Sequence, residues 1–253
     1  MKIKKEKVHD PSYVPPPLQA AKVSAPNAFC VLFVGNSITR HGICMGPYKG
    51  QPLLWDHVAG MAAGSEDKDF AHRLAGLIQK SMPDRMVEIY FDNVNKLMTQ
   101  KGGRNPVFGK SLPHPHLVII QTGEHQGPGE TRAAIAEAYE QYLIKPYLNL
   151  APKPLILCAG VWAPSDNVPY GGLELDINEA YKSVCAKYNI PFVSVESLAT
   201  DPKCRGWGKH PGVRWHPNDK GMAGYAGLLF RAFRKNEKHV PLGAGCGDDM
   251  YRE

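Results

Sequence analysis

Short, unbroken apolar runs alternate along this chain with longer stretches of helical period. The run Phe29–Val34, preceded by Pro26 and closed by Gly35, is too short for a helix and reads as a buried strand. Met86–Phe91, Leu117–Gln121, Pro154–Ala159 and Pro191–Val195 predict four more strands. Between them, apolar residues recur on single helical faces. Phe70, Leu74, Leu77 and Ile78 mark a helix over 67–82, with Ser65 or Asp67 as its cap. Ile135, Ala138, Tyr139, Tyr142 and Leu143 mark a second, capped near Thr131 and bent or ended by Pro146. Ile177, Tyr181, Val184, Cys185 and Tyr188 lie on a third, over 174–188. The last opens at Pro217 and turns Met222, Tyr225, Ala226, Leu229, Phe230 and Phe233 inward. Strands and helices alternating at βαβ spacing predict an α/β protein with a five-stranded parallel sheet between two helical layers, a three-layer α/β/α sandwich.

The flanks differ from this pattern. Residues 1–27 are polar and rich in proline and read as an extended N-terminal arm. Residues 28–235 form the predicted domain, and 236–253 a glycine-rich tail. With 43% hydrophobic and 21% charged residues the chain has an ordinary globular composition. Its net charge of +6 is scattered, without a basic tract, so nucleic acid is not an expected partner. No run of about 18 apolar residues exists to span a membrane. Met1-Lys2-Ile3-Lys4-Lys5 is basic but leads into no apolar segment. The expected location is therefore cytoplasmic, or periplasmic or secreted if a signal was removed. The six cysteines form no CxxC pair and read as buried structural thiols rather than disulfides or metal ligands. HExxH, zinc-finger, GxGxxG and Walker patterns are missing, so neither metal nor cofactor is expected.

The strand ends carry the chemistry. Ser37 follows the first strand, Asn93 to Asn95 the second, and Glu124 with His125 the third, while His216 stands just before the last helix. In open α/β sheets ligands bind in the crevice beyond the strand C-termini. A serine nucleophile needs a base and donors aimed at the developing oxyanion. Ser37 would attack, its own N–H would be one donor, and His216, 179 positions away, would take the proton. Taken singly, Ser37 reads first as a capping or turn residue after a strand, and His216 equally as a helix-capping surface residue. The long loops 40–64 and 199–215 carry Trp55, Trp207 and Trp215, and the first is expected to wall the site.

Gly35-Asn36-Ser37-Ile38-Thr39 resembles the first block of the SGNH, or GDSL-type, hydrolases. Gln121-Thr122-Gly123-Glu124-His125-Gln126 resembles their third block, and Trp215-His216-Pro217-Asn218-Asp219-Lys220-Gly221-Met222 their fifth. The resemblance spans residues 29–233 and implies a flavodoxin-like fold that hydrolyses esters through an acyl-enzyme. Several positions depart from the family's pattern. Asn36 replaces the usual Asp, His125 the usual oxyanion-donating Asn, and Asn93 to Asn95 the usual Gly. Val213 stands where an acid usually orients the histidine. Glu124 is then the expected acid, with Asp219, Glu196 and Asp201 as competitors and an acid-free dyad as a further option. Asn36, Asn93 and His125 are the expected oxyanion or substrate contacts. The stretch from Gly35 to Gly42, together with His210-Pro211-Gly212-Val213 before His216, is similar to a divergent bacterial branch linked to carbohydrate breakdown. This implies an acetyl ester on a glycan, with the four tryptophans offering flat faces to sugar rings. The alternatives are a catalytically degenerate glycan-binding protein of the same fold and a flavin or phosphate binder.

Overall fold

The first apolar run becomes β1 (Phe29–Gly35), buried along its whole length. The computed structural model describes residues 27–43, 47–48, 51–52, 55, 57–94, 113–126, 129–166, 168–208 and 211–242. The remaining parallel strands are β2 (Val87–Asn93), β3 (Leu117–Gln121), β4 (Leu155–Ala159) and β5 (Phe192–Val193). β5 is shorter than the apolar run predicts. The sheet order is β2-β1-β3-β4-β5, the doubly wound order of flavodoxin-like folds. β1 and β3 read as continuous apolar runs because helices cover both of their faces.

One helical layer is α1 (Phe70–Ser81) packed on the last long helix; the other is α2 (Arg132–Tyr139) packed on α3 (Gly172–Lys187). α1 starts later than expected. Its cap is Asp69, which accepts the His72 N–H at 2.8 Å and also takes Gly60 N–H at 3.2 Å, tying the preceding loop to the helix. Pro146 neither stops nor sharply breaks its helix. A widened π-turn over Glu140–Ile144 precedes it, and a short helical segment, Lys145–Leu148, carries it. The short α4 (Pro211–Trp215) interrupts the long loop before the site. The last helix, α5 (Asp219–Asn236), opens two residues beyond Pro217, capped by Asn218, whose side-chain oxygen accepts from Lys220 N and Gly221 N at 3.0 Å each. Met222, Tyr225, Ala226, Leu229 and Phe233 are buried as its period predicts, and Phe230 only partly.

Cys158, Cys185 and Cys204 are buried free thiols. Cys30 departs from the expectation: it is disulfide-bonded, to a partner outside the described residues. The expected arm, apart from Asn27, and the tail beyond residue 242 also lie outside them. Among the described residues no helix is long and apolar enough to cross a membrane.

What positions the site is the register at the sheet's C-terminal edge. Gly35 is level with Asn93 on one side and Gln121 on the other. A Cβ at Gly35 would overlap Thr39 Oγ1 and stand 2.8 Å from the Gln121 carbonyl oxygen. The chain can turn this tightly beside β3 only without a side chain there. Gly35→Ala is therefore expected to lower the unfolding free energy by about 2–3 kcal/mol, read as a fall in the urea midpoint at unchanged slope.

Candidate active site

Asn36 builds the turn that carries Ser37. Its carbonyl accepts Thr39 N–H and Arg40 N–H at 3.0 Å, and its side-chain oxygen accepts Ile38 N–H at 3.0 Å. The loop over 57–64 then folds back on the turn, with Met61 N–H on the Ser37 carbonyl at 2.8 Å and Ala62 in the left-handed region at φ 73°. Ser37 keeps partial exposure, and among the described residues nothing accepts its N–H.

His216 comes to this turn from the far end of the chain. Gly206 N–H donates to its carbonyl at 2.6 Å, and Trp162 Nε1–H donates to the Trp215 carbonyl at 2.7 Å. These bonds hold the segment between α4 and α5 over the sheet edge. The imidazole Nε2 lies 2.7 Å from Ser37 Oγ. Its Nδ1 lies 2.6 Å from the Gly212 carbonyl oxygen. A carbonyl only accepts, so the proton sits on Nδ1 and Nε2 carries the lone pair facing the hydroxyl. The geometry is that of a hydroxyl donating to a neutral imidazole base.

The structure does not bring Glu124 to the imidazole. Its Oε1 accepts Gln121 Nε2–H and the Trp162 backbone N–H, both at 2.8 Å, and its Oε2 accepts from Asn36 Nδ2 in a short bond. The reason is positional: Glu124 turns off β3 between β1 and β4, and their two strand ends present N–H donors to it. The atoms packed around the half-buried Glu124 push its carboxyl up from the ordinary value, and the Trp162, Asn36 and Gln121 donors pull it back only in part. The competing acids are also engaged elsewhere. Glu196 accepts Tyr170 N–H at 2.7 Å, and Asp219 accepts Gly64 N–H at 2.6 Å. The Lys203 N–H and the Lys220 ammonium hold Asp201 down at about 2.

Of the other expected site residues, Asn36 lies against the serine turn, His125 is solvent-exposed beyond Glu124, and the Asn93 side chain lies outside the described residues. Among the tryptophans, Trp55 and Trp162 are fully buried, Trp215 is partly buried, and Trp207 is 46% exposed. Two groups escape a side-chain reading of the sequence. The Gly212 carbonyl is one, hinted at only by its place four residues before His216. Trp162, which joins Glu124 to Trp215, is the other. Among the described residues no three His, Cys, Asp or Glu side chains converge as metal ligands would.

No family model matches the chain, and no curated protein matches it in sequence. Solved structures do match. A two-domain esterase active on acetylated mannans, crystallised with mannopentaose, superposes with a TM-score of 0.57 at 16% identity over 89% of this chain. The chain spans about half of that protein, 53% of its length. A carbohydrate acetylesterase from Sinorhizobium meliloti and the aryl esterase of M. smegmatis each match with a TM-score of 0.52 at 14% identity, over 81% of this chain and 98% of theirs. At such identities the likeness is one of fold.

Trp162→Phe leaves the Trp215 carbonyl without its indole donor. The expected loss is about 1–2 kcal/mol of stability, measured by urea unfolding; an unchanged midpoint would show that this bond does not anchor the His216 segment.

Proposed function

We propose that this chain, which folds as the SGNH esterases do, is a serine esterase that removes an acyl group, preferentially acetyl, from a carbohydrate. The observation that carries the reading is the 2.7 Å approach of Ser37 Oγ to His216 Nε2, in the tautomer set by the Gly212 carbonyl. Ser37 Oγ attacks the ester carbonyl while Nε2 takes its proton. The resulting imidazolium returns that proton to the departing alcohol oxygen, leaving Ser37 acylated. Water then attacks the acyl-enzyme, gives its proton to the same Nε2, and the free acid leaves as Oγ recovers the proton. The Ser37 N–H, free of acceptors among the described residues, is one donor for the oxyanion. Asn93 and His125 are the candidates for further donors.

A neutral carbonyl on Nδ1 orients the ring as a carboxylate does but gives the imidazolium less electrostatic stabilisation. The proposed mechanism is therefore a Ser–His dyad. The carbohydrate part of the reading is supported by Trp207. It is 46% exposed and follows Gly206, whose N–H donates to the His216 backbone carbonyl, so a solvent-open aromatic side chain stands on the loop joined to the segment of the base. Two of the matched structures are esterases of acetylated carbohydrates, which agrees with this substrate class.

Ser37→Ala and His216→Ala are each expected to lower kcat/KM on p-nitrophenyl acetate by about a thousandfold or more. A fluorophosphonate should label the wild type at Ser37 alone. Equal rates in wild type and Ser37→Ala, or an unlabelled Ser37, would favour the degenerate glycan-binding alternative. Trp207→Ala should raise KM for an acetylated oligosaccharide about tenfold and leave p-nitrophenyl acetate within about twofold, as a lost stacking contact would. A variant that behaves as wild type on both substrates excludes this platform.

A further inference from the structure

We propose that Asn36 and Glu124 form a matched amide–carboxylate pair through which Glu124 acts as a positioning residue, holding the Ser37 turn and the His216 segment in one frame. The inference deepens the esterase reading above and rests on it for its catalytic part.

Each amide in this cluster has only one workable orientation. Asn36 Oδ1 accepts Ile38 N–H at 3.0 Å, so its NH2 is the group that faces Glu124. The Thr39 hydroxyl, 2.9 Å from Gln121 Oε1, could serve either end of that amide, and it is the acceptor at Glu124 that turns the Gln121 NH2 towards it. The third donor is the Trp162 backbone N–H, which has no alternative role to flip into. Three donors therefore converge on one side chain that must accept at both of its oxygens. Only a carboxylate does that. From Glu124 one line of bonds runs through Asn36 into the turn of Ser37. The other runs through Trp162, whose indole N–H holds the Trp215 carbonyl next to His216. The nucleophile and the base, 179 residues apart, share this anchor.

Glutamine at 124 sets an NH2 against the Asn36 NH2. Flipping either amide moves the mismatch onto Ile38 N–H, or onto Gln121 and Trp162. Aspartate at 36 sets two carboxylates face to face. Making both changes together exchanges donor and acceptor across the contact and restores every bond. This reciprocity is what a pair of independent, merely structural residues would lack.

The experiment compares the full chain as wild type, Asn36→Asp, Glu124→Gln and the double variant, by thermal unfolding and by kcat and KM on p-nitrophenyl acetate. Asn36→Asp is expected to lower Tm by about 5 °C. Glu124→Gln is expected to lower kcat about tenfold or more with KM within about threefold, the signature of a displaced dyad. The double variant should regain more than half of the lost Tm and bring kcat to within about threefold of wild type. A double variant no better than the poorer single overturns the pairing. Wild-type kcat in Glu124→Gln overturns the positioning role. If the wild type hydrolyses no ester and Ser37 resists the fluorophosphonate, the esterase reading fails, and recovery of Tm in the double variant still supports the pair.

Discussion

The site depends on the level register of Gly35 with Asn93 and Gln121 at the C-terminal edge of the sheet. Parallel strands all end on the same side, so three consecutive strand ends crowd into one crevice. Gly35 lets β1 turn sharply there without striking Thr39 or the Gln121 carbonyl. The turn throws Ser37 outward, and the same crowding brings the Gln121 and Trp162 donors within reach of Glu124. A side chain at residue 35 would act on stability and on the candidate nucleophile together.

The His216 ring and its segment are held by backbone groups and by the Trp162 indole. The Gly212 carbonyl holds Nδ1, Gly206 N–H holds the His216 carbonyl, and Trp162 holds the carbonyl of the residue before it. Backbone groups are rigid once the short helix and the loop around them are packed, so the ring is oriented at little conformational cost. They are also uncharged. A carboxylate in that place would add attraction for the imidazolium; Glu124, the acid expected there, is committed to three N–H donors instead. Its two oxygens are thus spent on Asn36, Gln121 and Trp162 rather than on the His216 ring.

The tryptophans divide by exposure. Trp55 and Trp162 are core residues, and Trp162 spends its indole N–H on the frame. Trp215 packs edge-on to the His216 ring at 5.1 Å. That leaves Trp207, next to the glycine bonded to the His216 carbonyl, as the exposed tryptophan.

Much of the fold was legible from the chain alone. Apolar runs of five or six residues bounded by Gly and Pro are too short for helices and read as buried strands, and helical period between them argues for a parallel sheet covered on both faces. Ser37 and His216 stand out in the chain because Ser37 directly follows the strand that Gly35 ends and His216 directly precedes Pro217, a good first-turn residue of a helix. The departures have common causes. β5 is short and α5 starts late because cap bonds and sheet pairing, not the apolar pattern, set the ends of elements. Glu124 was the natural acid by proximity along β3, yet hydrogen-bond donors from β1 and β4 claimed it, and proximity in sequence says nothing of those. The partner of the His216 ring is a carbonyl, a group that every residue carries and that no pattern of side chains can single out. Residue types thus determined which elements form and which reactive groups they present. Only the folded backbone decided which neutral or charged group each of them meets, because that choice depends on directions in space that the order of residues does not encode.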